Sequence, residues 1–153
     1  MQVVCSVDPA GFSLDYDASD LRSAVIFYME QLLKPKLREK LTVHVKARYV
    51  EDDITINQGT CEPLDDVNRP KEFVIKLNAS CKEEALLFLA HEMVHVKQYA
   101  KGELRDYIYH DDKIGWKGVK YPAYTSGPEY VDLPWEVEAF GREEELYKKL
   151  IGA

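Results

Sequence analysis

The stretch SCKEEALLFLAHEMVHVKQYAKG, residues 80–102, decides how this chain is read. Ser80 followed three positions later by Glu83 has the form of a capping box, which opens a helix. Ala85, Leu86, Leu89, Ala90, Met93 and Val94 recur at helical spacing, and Gly102 is a natural stop. A helix running to about Lys101 follows from these signals.

His91 and His95 stand four positions apart on that helix. This puts both imidazoles on one face, a turn apart, where they can converge on one metal ion. Glu92 is rotated from His91 by about 100° and need not ligate. It can instead reach a water on the metal from the side. Zinc brings such a water to a pKa of about 7, and a carboxylate can take its proton as it attacks a carbonyl. The pattern HExxH also occurs by chance in unrelated helices. Three features strengthen it here. The helix is capped and lies in apolar surroundings, the strand-like EFVIKL at 72–77 precedes it, and two of the chain's four histidines fall inside it. Without a partner, two imidazoles and a carboxylate would be costly to bury on such a helix.

A catalytic zinc usually takes three protein ligands. The first candidate for the third is Glu136 in LPWEVEAF, in the first turn of a predicted helix that can pack across the HExxH helix. Glu138 is on a different face of that helix. His110, in YIYHDDK, is the other candidate. The HxxGxxH continuation is absent, because position 98 is Gln98 and position 101 is Lys101.

HEMVH together with Glu136-Val137-Glu138-Ala139 resembles a gluzincin metallopeptidase of minimal size. The resemblance implies a zincin-like α+β fold, a zinc cofactor, protein or peptide substrates, His91, His95 and Glu136 as ligands, and Glu92 as the base. It also implies that Glu72–Leu77 corresponds to the edge strand along which such enzymes lay the substrate backbone. It covers roughly residues 70–150. Where gluzincins commonly carry an aspartate four positions after the ligand glutamate, this chain has Phe140. A carboxylate to orient the histidine must then come from elsewhere, with Glu143, Glu144 and Asp132 as candidates. The chain is also similar to SprT-like metallopeptidases, which would make His110 the third ligand, and to small peptidases encoded by bacteriophages. A zinc-binding interaction module without catalysis is the reading from another class.

The rest of the sequence bounds these expectations. With 153 residues, 46% apolar and 31% charged, the chain fits one globular domain, 1–153. No apolar run approaches the roughly 20 residues a membrane helix needs. MQVVCSVDPAG lacks a basic segment followed by a long apolar core, so a cytoplasmic protein is the default expectation. The net charge of −7 argues against a general electrostatic grip on nucleic acid and says nothing of a local basic groove. Cys5, Cys61 and Cys81 are odd in number and widely spaced, which predicts reduced thiols.

The expected architecture is α+β: a small, twisted, mostly antiparallel sheet of about three strands, with an N-terminal helix, the HExxH helix and a C-terminal helix. Residues 1–17 read as an extended start with a turn at 9–11. A helix is expected over Ser19–Leu33, ended by Pro35. Thr42–Val50 alternates as a strand, with Val43, Val45, Ala47 and Tyr49 on one face and His44, Lys46 and Arg48 on the other. A weaker strand is expected over Asp53–Asn57, then a Gly-Thr-Cys-Glu-Pro loop, then the strand at 72–77. Residues 103–133 read as a long loop whose Tyr121, Tyr124 and Tyr130 are chiefly packing rings, one of which can face an oxyanion. Trp116 and Trp135 read as packing anchors. Pro134 opens the last helix, 134–150.

Overall fold

The computed structural model describes residues 1–51, 58–65, 68–106, 112–122 and 127–153. The expected strand at Asp53–Asn57, His110 and Tyr124 lie outside these residues.

The α+β expectation holds. The chain opens with β1 (Gln2–Asp8), α1 (Ala18–Leu32), the single turn α2 (Pro35–Arg38), and β2 (Thr42–Arg48). It continues with β3 (Gly59–Pro63), β4 (Glu72–Asn78) and α3 (Lys82–Ala100). Three short strands follow: β5 (Leu104–Asp106), β6 (Lys113–Trp116) and β7 (Val119–Pro122). A 3-10 helix (Gly127–Asp132) leads into α4 (Pro134–Ile151).

The main sheet has the order β1-β2-β4-β3. It departs from the expected mostly antiparallel sheet. β1, β2 and β4 run parallel, and only β3 is antiparallel to its neighbour. The parallel run arises because α1 carries the chain back over the sheet between β1 and β2, a return that parallel pairing requires. A second, antiparallel sheet, β5-β6-β7, occupies the segment expected to be loop. Its β6–β7 hairpin turns on Lys117 and Gly118, both at positive φ (47° and 88°). A two-residue hairpin of that type needs this backbone, and Gly118 adopts it without steric cost.

The helices lie on one face of the main sheet. Val43, Val45 and Ala47 of β2 and Phe73, Ile75 and Leu77 of β4 point into the core, where they meet α1 and α3. The opposite face carries Lys46, Arg48 and Lys76, all exposed. Strict alternation on β2 thus builds a sheet with one wet face. Two tyrosines enter the core with their hydroxyls satisfied: Tyr28 donates to the Leu86 carbonyl and Tyr16 to that of Ala79, each at 2.8 Å. Cys5, Cys61 and Cys81 are free thiols, as expected. No helix among the described residues is long and apolar enough to cross a membrane.

The helix ends differ in detail from the reading of the sequence. α1 is opened by a complete capping box between Asp17 and Asp20. α3 has no such box. Its N-cap is Cys81, the Lys82 N–H donates to Asp15, and Ser80 donates to Glu84 rather than pairing with Glu83. A carboxylate from the loop before α1 therefore caps α3, a long-range partner that local spacing does not announce.

The candidate edge strand also moves. Glu72–Leu77 is interior, paired on both sides, and the edge beside α3 is β3, whose Gly-Thr-Cys-Glu-Pro residues read as a loop. Glycine and proline lower strand propensity, but both are accepted at the ends of an edge strand.

Candidate metal centre

α3 and α4 pack against each other, and their contact assembles the site. Pro134 fixes the first turn of α4, so Glu136 enters the interface in that turn. Its side chain is 1% exposed. One of its oxygens, Oε1, lies 3.1 Å from His91 Nε2 and 3.0 Å from His95 Nε2. The three residues form a buried group that could hold a metal ion, with their ligand atoms all within 4.8 Å of one another. Glu138 points elsewhere, to Lys97 (2.7 Å) and Gln98 (2.9 Å).

The outer nitrogen of each imidazole has its own acceptor. His91 Nδ1 is 2.8 Å from Glu143 Oε2, and His95 Nδ1 is 2.8 Å from Gln98 Oε1. The orientation of Gln98 is dictated by its other contacts. Its Nε2 donates to the Trp135 carbonyl (3.0 Å) and to Glu138 Oε1 (2.9 Å), both acceptors only. Its Oε1 must therefore face His95 and accept a proton from Nδ1. Glu143 imposes the same tautomer on His91. Both Nε2 atoms then direct lone pairs at a carboxylate oxygen, an arrangement that needs a cation between them.

In the metal-free chain that cation is a proton. Burial works against charging His91, but its hydrogen bonds to Glu136 and Glu143 outweigh burial and hold the imidazole up at about 10. His95 is raised for the same reason through Glu136. Burial also opposes charge on Glu136, yet the two imidazoles hold its carboxyl down at about 2. The remaining Glu136 oxygen, Oε2, is buried and has no hydrogen bond of good geometry among the described residues, the Tyr130 hydroxyl making only a looser contact with this carboxylate. A desolvated carboxylate oxygen without a well-placed donor is expensive. A metal ion would meet both the open lone pairs and this oxygen. Two imidazoles and a carboxylate are a donor set that zinc accepts, and spacings of 3.0–3.1 Å are near the tetrahedral edge of roughly 3.3 Å for bonds of about 2 Å.

Glu92 takes no part in this triad. It is 6% exposed, and burial raises its carboxyl pKa, partly offset by the nearby imidazoles. It lies between two cavities, of about 340 Å³ and 300 Å³, that share Gly59, Glu92 and Tyr130. Together they form a groove between β3 and the helices. His91, Phe140 and Glu143 border one half; His95, Glu136 and Trp135 border the other. Gly59 permits this close approach of strand and helix. A Cβ there would stand 3.1 Å from Leu77 Cδ2, 3.2 Å from the Lys76 carbonyl oxygen and 3.3 Å from Glu92 Cγ.

Phe140 packs edge-on against His91, with ring centroids 4.6 Å apart. Glu143, three residues further along α4, supplies a carboxylate to the same ring. Of the aromatic residues singled out in the sequence, Trp116 and Tyr121 pack on Trp135 as anchors. Tyr130 differs. It is 42% exposed on the groove, and burial and the neighbouring Glu136 raise its hydroxyl pKa. Reading the sequence passed over Gln98, although an acceptor three positions after a histidine on a helix is placed to orient it. Gly59 carried no local signal.

Comparisons with protein-family models, curated proteins and solved structures give no match to the chain.

Proposed function

We propose that this chain is a zinc-dependent metallopeptidase, with His91, His95 and Glu136 as zinc ligands and Glu92 as general base. The observation that carries the reading is the fixed tautomer of both histidines. With Nδ1 of each ring turned to its own acceptor, both Nε2 atoms converge on the buried Glu136 carboxylate at the floor of an open groove, beside a further carboxylate, Glu92, that takes no part in the cluster. A purely structural zinc site is closed by its ligands and has no use for the groove or for Glu92.

Bound there, zinc would polarise a peptide carbonyl and make water nucleophilic near neutral pH. The chain's own residues supply the rest. A Glu92 carboxylate oxygen takes the proton from the attacking water and returns it to the departing amide nitrogen. Burial raises its pKa, which suits both transfers. Tyr130 faces the groove where its hydroxyl can donate to the forming oxyanion. β3 is the outer strand of the main sheet among the described residues, and an extended peptide can add beside it as a further strand. Gln98 and Glu143 keep the two imidazoles in the ligating tautomer.

The test is zinc content and peptide cleavage in wild type, Glu92→Gln and Glu136→Ala. Glu92→Gln should retain stoichiometric zinc and lose turnover by about 10²–10⁴-fold. Glu136→Ala should lose both zinc and turnover. Full cleavage by Glu92→Gln would remove the mechanism. Zinc retained by Glu136→Ala would transfer the third ligand to another residue.

A further inference from the structure

A cavity of about 790 Å³ lies apart from the candidate metal centre, where α1 ends and α2 follows. Six cations line it: Lys34, Lys36, Arg38, Lys40, Arg69 and Lys101. They come from three separate parts of the sequence, and a single acidic residue, Glu30, is among the lining residues. This concentration occurs in a chain of net charge −7.

Helix ends explain part of it. Lys34 and Arg38 follow α1, and Lys101 is the C-cap of α3, positions where positive charge meets the helix dipole. Lys36 and Arg38 also stand in the last turn of the short α2, and Arg38 donates to the Leu33 carbonyl at 2.9 Å, whereas Arg69 is brought in from another part of the chain. Several cations elsewhere stand against carboxylates, as Lys82 does with Asp20, Lys97 with Glu103 and Glu138, and Lys148 with Glu144. Among the described residues, none of the six around this cavity has an ion-pair partner. Like charges that line one cavity repel wherever they approach within a Debye length, and an anion among them removes that repulsion.

We infer that this groove binds a small molecule carrying two or more phosphate groups on a carbon skeleton. The volume lies within the range of small-molecule sites, roughly 300–1,000 Å³. A phosphate ester gathers up to about two charges into one group, so two or three such groups match six cations in one cavity. Arg38 and Arg69 provide planar guanidinium donors suited to phosphate oxygens. Leu32, Leu33 and Leu37 supply apolar wall for the skeleton. Among the described residues no aromatic ring lines the cavity, so none of them offers the stacking platform of a single-stranded nucleic-acid site. The phosphates can belong to a soluble metabolite or to a lipid headgroup.

The experiment titrates the zinc-loaded full chain with two probes at physiological salt. The soluble probe is fructose 1,6-bisphosphate. The lipid probe is phosphatidylcholine vesicles with and without phosphatidylinositol 4,5-bisphosphate. Two charge-matched variants are compared: Lys36→Glu/Lys101→Glu in the groove, and Lys46→Glu/Lys76→Glu on the open face of the sheet. Saturable binding, weakened by more than about tenfold in the first variant and unchanged in the second, is expected. Binding of the soluble probe identifies a free metabolite as the source, and binding of the doped vesicles alone identifies a headgroup. Zinc content should be the same in all proteins, which separates this site from the metal centre. Failure of both probes to saturate below about 1 mM, or equal loss in both variants, overturns the proposal. So does displacement of the bisphosphate by an oligonucleotide that binds more tightly.

Discussion

His95 Nδ1 and Gln98 Oε1 lie 2.8 Å apart inside the α3–α4 interface, and the other end of the same amide is held by the Trp135 carbonyl and Glu138. The bond decides which imidazole nitrogen is left for a metal, and α4 decides which way the amide faces.

Removing either orienting acceptor should weaken zinc binding without removing a ligand. Gln98→Leu and Glu143→Ala should each raise the zinc Kd by about 10–100-fold. Glu143→Gln keeps an acceptor oxygen and should fall between Glu143→Ala and wild type. Competition with a chromophoric chelator measures this. Unchanged affinity in Glu143→Ala would mean that its bond to His91 does not govern the tautomer.

If the proposed ligand set holds zinc, zinc and protons should compete for the same nitrogens. In the metal-free chain His91 is held at about 10 against an ordinary 6.5. Its stabilising contribution is therefore complete below 6.5 and is lost as pH rises toward 10. Glu136 is held at about 2 against 4.5, so its contribution disappears only as pH falls through that lower range. The metal-free chain should lose stability between pH 6.5 and 10. Zinc requires the bare imidazoles and gains affinity over the same window. Thermal unfolding with and without zinc should show a larger gap at about pH 8.5 than at about pH 6. A gap of constant size would place the metal on other residues.

Gly59→Ala tests the approach of the edge strand to Glu92. The added carbon meets a backbone carbonyl at 3.2 Å as well as Glu92 Cγ at 3.3 Å, so the strand or the carboxylate must yield. Stability should fall by about 1 kcal/mol, while kcat/KM should fall by about tenfold because the base is displaced. Zinc content should stay at wild-type level. Steady-state kinetics beside metal analysis separates these effects.

Lys97 tests the support beneath the site. Its ammonium is 8% exposed and bridges Glu103 (2.8 Å) and Glu138 (2.7 Å). Lys97→Met removes the bridging ammonium and leaves only weaker, more exposed partners, Arg142 at 3.6 Å from Glu138 and Lys117 at 4.0 Å from Glu103. Losing one partner of a buried pair costs about 3–5 kcal/mol, and the partial exposure of both glutamates favours the lower end. Denaturant unfolding should show a loss of about 3 kcal/mol. A loss below about 1 kcal/mol would mean that solvent already screens the pair.

Much of the fold was legible because its signals are local. The alternation in β2, the apolar spacing of α3 and Pro134 at the head of α4 each report on a few neighbouring residues. Local reading failed where a partner lies far along the chain. Asp15 caps α3 from 67 residues away. β3 is a strand because β4 pairs with it, despite a glycine and a proline at its ends. The β6–β7 hairpin left a trace, Lys117-Gly118 between two short apolar runs, that the surrounding tyrosines and prolines obscured.

The candidate site divides in the same way. Helical periodicity alone places His91 and His95 on one face and sets Glu92 aside from them, because 3.6 residues per turn is a property of the backbone. Which nitrogens face inward, which glutamate completes the triad and which strand borders the groove depend on packing between α3, α4 and β3. Those contacts join residues 41 to 52 positions apart. Their geometry comes from core side chains filling space together, and no short window of sequence contains that information.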